Sequence, residues 1–207
     1  DPDRLQALLP AGVTADVHDG TGWVSMVGFE MRELRVPGLP PIPTTDRFPE
    51  FNVRTYVTGR HGPGVWFFSL DTPHWLPTLT ARTAFALPYC VADVHSSHAG
   101  ALHSWSVERR WPDRTSGTLS MLADGEIDAP DALDRFLTDR WRLYARTRLG
   151  ERLLSAPVEH EPWPLQSGRL LDVDASIARH AVGEIGGEPV AHHATRVHVR
   201  VGRPRWA

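Results

Sequence analysis

The sequence predicts a mainly β chain with a few short helices, of the α+β class, in which the strands form a sheet closed on itself. Three observations predict it. Seventeen Gly and 18 Pro residues are scattered as turn punctuation between short apolar runs. Roughly nine or ten of those runs carry strand-like patterning. One of them, Gly64 to Leu70, is apolar on both faces, as a central strand is and a strand half in water is not. Closure is the commonest way for that many strands to avoid open edges.

The elements follow in order. Asp1-Pro2-Asp3 opens a short helix with Asp as N-cap and Pro at the first helical position, and Pro10 stops it. Val13 to His18 and Gly22 to Leu34 read as strands around the turn signal Asp19-Gly20-Thr21, with a slip near Gly28 that suggests a bulge. Val36 to Pro49 carries five prolines and reads as a loop that cannot join a ladder. A hairpin follows from Glu50 to Leu70. Asp71 or Thr72 then reads as the N-cap of a helix running to about Ala86, and Leu87-Pro88-Tyr89 returns the chain to a strand. Strands are expected at about Ala101 to Trp111 and Ser116 to Leu122, before an acidic turn and a short helix opened by Pro130-Asp131. Arg140 to Arg148, Arg152 to His160 and Trp163 to Leu171 read as strands, Asp174 to Ala181 as helical turns, and Thr195 to Val201 as a last strand. With no repeat, low-complexity tract or linker, residues 1–207 are read as a single domain.

The hairpin carries the candidate site. On its first strand Phe51, Val53, Thr55 and Val57 face one way, and Glu50, Asn52, Arg54 and Tyr56 the other. With a five-residue loop from Gly59 to Pro63, the register sets Tyr56 opposite Trp66, Arg54 opposite Phe68 and Asn52 opposite Leu70. Polar groups converging among aromatic walls are the make-up of a small-molecule pocket, and the fork of donors on Arg54 suits a ligand carboxylate. The competing reading is an ion pair between Glu50 and Arg54, or Arg54 stacked on a surface aromatic.

Composition excludes several functions. All 22 basic residues are Arg, which reads as the bias of a GC-rich bacterial genome. A net charge of -3 without basic clusters excludes a nucleic-acid partner. One Cys cannot make an internal disulfide, no run of about 18 apolar residues spans a bilayer, and the N-terminus lacks a basic region followed by an apolar core. A cytoplasmic protein without membrane partners is expected, and a homo-oligomer is compatible with the sequence.

The run FNVRTYV, then GVWFFSLD, then Ala81-Arg82 within the helix, then LPY, resembles the YqjF-like family of conserved bacterial proteins, grouped with the acetoacetate-decarboxylase-like superfamily. AGVTADVHDGTGWVSMVGFEMRELR, RWRLYAR, VEHEPWPL and VRVGRPRW extend the resemblance over nearly the whole chain. It implies an acetoacetate-decarboxylase-like closed β-barrel with outer helices and a central ligand cavity. In acetoacetate decarboxylase the turn before the strand carries a Pro-Lys pair whose Lys forms a Schiff base. Here the turn is Pro88-Tyr89-Cys90, and the 207 residues include no Lys. Schiff-base decarboxylation is therefore excluded, because only an amine turns the substrate ketone into an imine electron sink.

Other constellations are weaker. His95, His98 and His103 fall within nine residues, yet Ser and Gly surround them and alternation sets His95 and His98 on opposite faces, so surface histidines are expected and no metal site. Cys90 reads as a small buried residue. Ser69 lacks the context of a nucleophile elbow. No cofactor is called for. The expectation is an interior pocket for a small organic acid, with Asn52, Arg54, Trp66 and Phe68 as binding residues and Glu50 and Tyr89 as proton-transfer groups of a lyase, isomerase or hydrolase. The alternatives are a binding module without chemistry, using the same pocket, and a structural protein with a filled core.

Overall fold

A computed structural model describes residues 1–33, 47–73, 86–147 and 152–207. Three sequence expectations lie wholly or largely outside these residues: most of the proline-rich loop, most of the helix after Asp71, and the turn around Gly150.

The long hairpin is the spine. Its strands are β5 (Arg47–Gly59) and β6 (Gly62–Thr72), and both edges of the pair are shared out along their length. The outer edge of β5 takes β4 (Val24–Arg32) along residues 47–55 and β1 (Val13–Ala15) along residues 57–59. The outer edge of β6 takes β10 (Arg142–Arg146), in parallel, at Val65 and Trp66, then β7 (Tyr89–Ala99), also in parallel, from Leu70 to Thr72. The sheet therefore forks at β6. One arm continues from β7 through β8 (Leu102–Trp111), β9 (Thr115–Glu126) and β12 (Leu165–Asp174) to β13 (Ala191–Ala194). The other runs from β10 through β11 (Leu153–Glu159) to β14 (Arg200–Val201). Among the described residues this path does not return on itself, so the closed barrel of the sequence reading is not formed by them.

Among the described residues three short helices accompany the sheet. In α1 (Pro2–Leu8) the Asp1 side chain accepts from the backbone of Asp3, as its N-cap reading expects. α2 (Ala132–Thr138) opens on a capping box between Asp131 and Asp134, and α3 (Ser176–Val182) packs Ile177 and Ala178 into the core. Asp19 and Gly20 form the expected turn, both with positive φ, between two short strands at Val17–His18 and Thr21–Gly22.

Several boundaries differ from the sequence reading for identifiable reasons. The strand β5 begins at Arg47 and includes Pro49, which pairs opposite Glu30; β6 ladders with β5 only from Phe51 on, so that edge needs no N–H from Pro49. Pro162 and Pro164 bracket Trp163, and β12 starts at Leu165. The alternating Val197, Val199 and Val201 find no core to face, with Val199 56% exposed, and only Arg200–Val201 of that run is a strand.

Gly28 is not a bulge, since the β4–β5 ladder runs through Gly28 opposite Phe51 without a slip. Its lack of a side chain serves packing: a Cβ there would stand 2.5 Å from the Trp105 ring. Gly28→Ala is expected to displace that ring at a cost of about 1–3 kcal/mol. Thermal unfolding should show Tm lowered by roughly 3–10 °C, and an unchanged Tm would contradict the packing described.

Candidate functional site

Two residues, Arg60 and His61, close the hairpin rather than five, because Gly59 already pairs with Gly62. From the turn inward Tyr56 stands opposite Val65, Thr55 opposite Trp66 and Arg54 opposite Phe67. Phe68 is then inserted without a partner, and the ladder resumes with Val53 opposite Ser69 and Asn52 opposite Leu70. The expected register is thus right for Asn52 and one residue out for Arg54 and Tyr56. Trp66 belongs to the Thr55 face, packing against Val13, Val57 and Tyr144, and Phe68 packs against the core built on Phe51 and Val53. Neither shares the face of Arg54. The aromatic neighbours of Arg54 are Phe67 across the strand, Tyr56, whose ring centroid is 5.9 Å from its Cζ, and Trp163 at 5.6 Å.

The bulge re-phases β6 and so divides its polar residues between two faces. Ser69 and Asp71 join the face of Phe51 and Val53, while Leu70 and Thr72 join that of Glu50 and Asn52. Parallel pairing sets Tyr89 beside Leu70 and Cys90 beside Asp71, extending the same division to β7. The sequence placed Asp71 at a helix cap. Instead it lies within β6, fully buried, gripped by Arg109 through Nε to Oδ1 at 2.6 Å and Nη2 to Oδ2 at 3.0 Å, with the Ser69 hydroxyl donating to Oδ2 at 2.7 Å. Burial, then the Asp71 charge, pushes the neighbouring Cys90 thiol up to about 12. A thiol held so far from ionising is no nucleophile.

The opposite face is different in kind. Glu50 and Asn52 are buried, with Arg54 half-buried beside them. The Tyr89 hydroxyl hydrogen-bonds the Glu50 carboxyl, and burial, opposed by that bond and reinforced by Asp71, pushes the carboxyl from an ordinary 4.5 up to about 8. Burial and the Glu50 charge raise Tyr89 well above the usual phenol range. Among the described residues, four buried polar atoms on this face have no hydrogen-bond partner: Glu50 Oε2, Asn52 Oδ1, Arg54 Nε and Thr72 Oγ1. Each such atom costs about 1–3 kcal/mol. The Nε1 atoms of Trp163, beside Arg54, and Trp23 are likewise buried without partners among the described residues. Among the described residues Arg54 does not engage Glu50; its Nη2 reaches the Leu137 carbonyl, at 3.5 Å.

A concavity of about 310 Å³ opens at the bulge, between Phe67, Phe68, Leu87 and Tyr144. Another of about 400 Å³ lies along β12 and β13, and neither is lined by Glu50, Asn52, Arg54 or Tyr89. Thr72, Trp163 and Arg109 escaped the sequence reading. For Arg109 the available signal was an Asp at the end of an apolar strand, since a carboxylate there needs a cation.

His98 pairs with His103 across the β7–β8 ladder, while His95 sits opposite Ser106. His95 and His98 thus lie on opposite faces of β7, as alternation expects, and among the described residues no three His, Cys, Asp or Glu are grouped to hold a metal ion. Among the described residues no helix is long and apolar enough to cross a membrane.

Known proteins agree with this architecture. The uncharacterized protein YqjF of Bacillus subtilis (strain 168) is 37% identical over 202 residues, spanning 95% of this chain and 81% of that protein. Acetoacetate decarboxylase from Legionella pneumophila superposes with a TM-score of 0.68 at 12% identity, over 100% of this chain and 80% of that one. The enduracididine biosynthesis enzyme MppR, complexed with pyruvate, gives 0.65 at 19% identity, over 100% and 84%. At such identities the likeness establishes an acetoacetate-decarboxylase-like fold alone. A family model for uncharacterized conserved proteins matches residues 1–198, and with the identity to YqjF this makes the chain a member of the DUF2071 family.

Proposed function

We propose that the face bearing Glu50, Asn52, Arg54, Thr72 and Tyr89 binds a small organic acid, and that Glu50 serves it as a proton donor near neutral pH. The observation that carries this reading is the gathering of four unpartnered buried polar atoms on one face beside a carboxyl held protonated. Leaving those atoms bare costs stability with no structural return, whereas a ligand completes them. Arg54 supplies the charge for a carboxylate, and Phe67, Tyr56 and Trp163 line its apolar side. In this reading Phe67 takes the place that Trp66 and Phe68 held in the sequence expectation.

A neutral Glu50 delivers its proton to a developing oxyanion or leaving group, and the Tyr89 hydroxyl, hydrogen-bonded to it, steadies the carboxylate left behind. That suits a lyase, isomerase or hydrolase step. With no Lys in the sequence, the step runs without an imine. Pyruvate and acetoacetate, named with two enzymes of this fold, are small oxo acids and belong in the ligand screen.

Thermal shift against a panel of carboxylic acids tests the reading. At least one acid should raise the Tm of the native protein, and Arg54→Ala should weaken its binding roughly 30-fold or more, the loss expected when a buried charge pair is truncated. Hits indifferent to Arg54→Ala would remove this face from the function. Turnover of a hit, lost in Glu50→Gln with binding kept, assigns an enzyme; binding without turnover assigns a non-catalytic module.

A further inference from the structure

A second cluster lies on the other side of β7, where the β7–β8 hairpin turns. His98 and His103 occupy directly opposite positions one pair from that turn, so their side chains share a face. Their rings approach with Nδ1 to Nδ1 at 2.9 Å and centroids 5.1 Å apart. Two imidazole nitrogens this close face each other with a single proton between them, and a metal ion can take that proton's place.

The separation selects the ion. Metal–imidazole bonds are about 2.0–2.1 Å long, so nitrogens 2.9 Å apart subtend an angle of about 90° at the metal. A tetrahedral site needs roughly 3.3 Å between them. A right angle is the cis angle of square-planar and tetragonal coordination, the preference of Cu(II) and Ni(II).

The surroundings are arranged for it. Glu30 Oε1 lies 3.8 Å from His98 Nε2, on the ring edge away from His103, too far for a hydrogen bond but near enough for its charge to favour a proton on Nε2 and a bare lone pair on Nδ1. Glu30 is itself committed: the hydrogen bond from Arg47, then those from Arg32 and Ser96, hold its carboxyl at about 2 against burial. Its oxygens are taken by these donors, so it is not a ligand. His193 stacks on His103 at 4.0 Å between centroids and turns its Nδ1 to Gln166 Oε1 at 2.8 Å, making a fixed wall. The His98 side chain is 37% exposed, giving an ion access from solvent.

We propose that His98 and His103 form a two-imidazole chelate for a divalent ion of the Cu(II) and Ni(II) class, independent of the Glu50 face. On binding, both Nδ1 lone pairs turn to the metal, the proton formerly between them moves to His103 Nε2, and water fills the other positions. No net proton is released.

Titration of CuCl2 into the untagged full chain, followed by calorimetry and electron paramagnetic resonance, tests the proposal. One ion per chain should bind, with a tetragonal spectrum showing coupling to two nitrogens. His103→Ala should weaken binding by more than about 100-fold, beyond the roughly 10–100-fold that loss of an outer-shell partner costs. His98→Ala should do the same, and His95→Ala, on the opposite face, should leave it unchanged; far-ultraviolet circular dichroism of each variant confirms that the fold is kept. Absence of binding, a one-nitrogen spectrum, or binding that survives His103→Ala in a folded protein would overturn it.

Discussion

Arg109→Ala should lower stability by about 3–5 kcal/mol, the cost of leaving one member of a buried ion pair alone. The Asp71 carboxylate is fully buried and Arg109 is 5% exposed, so neither is rescued by solvent once its partner is gone. The guanidinium also holds more than one carboxylate. Its Nη1 donates to Asp113 Oδ1 at 3.0 Å, and Asp113 Oδ2 in turn meets His180 Nε2 of α3 at 2.8 Å. Losing Arg109 therefore cuts the polar chain that ties β6 through β8 to α3. For a chain of this size the fall in Tm is roughly 8–15 °C. The double substitution Asp71→Leu with Arg109→Leu should recover most of that loss, because the penalty lies in the unpaired charge rather than in the missing pair. A double variant as unstable as the sum of the two singles would show that the pair acts independently, against this account.

The second large effect depends on pH. The folded protein holds the Glu50 carboxyl at about 8, while an unfolded chain leaves it near 4.5. Below the lower value the group is protonated in both states and its buried, neutral form costs nothing further. As pH rises from the lower value through the upper, the unfolded chain gives up the proton more readily, so stability is lost progressively and the loss is complete above about pH 8. Glu50→Gln keeps the shape and removes the titration. Its Tm relative to the native protein should climb across that window, reaching a gain on the order of 3–5 kcal/mol at pH 9. Thermal melts of both proteins from pH 4 to pH 9 check the slope. A difference that stays flat with pH would mean that Glu50 is not held neutral.

How far these features could be read from sequence depends on the kind of interaction behind them. The alternation of FNVRTYV exposed the polar set Glu50, Asn52 and Arg54 on one side of β5, since period two follows from the strand backbone itself. The bulge at Phe68 left no such mark. In VWFFSL both faces are apolar, so sliding by one residue alters no hydrophobic pattern, and the phase of Ser69, Asp71 and Thr72 could not be fixed. Asp71 reads as a cap because Asp-Thr-Pro is a common helix entry, and its partner Arg109 lies 38 residues away, beyond any local rule. Gly28 shows the reverse. A break in alternation was visible, but a bulge and a close approach by a distant Trp105 leave the same trace in sequence. Tyr89 was found through the family's turn motif, and the structure adds its hydrogen bond to Glu50.

The central claim is that one face of β5 and its neighbours keeps a carboxyl protonated among polar groups that await a ligand. Side-chain carboxyl carbon-13 resonances of Glu-labelled protein, with Glu50 identified by its loss in Glu50→Gln, measure this directly. The account predicts a titration midpoint near 8 for Glu50 and a displaced resonance when an acid from the screen is added. A midpoint near the ordinary 4.5, unmoved by any acid that binds, would contradict it.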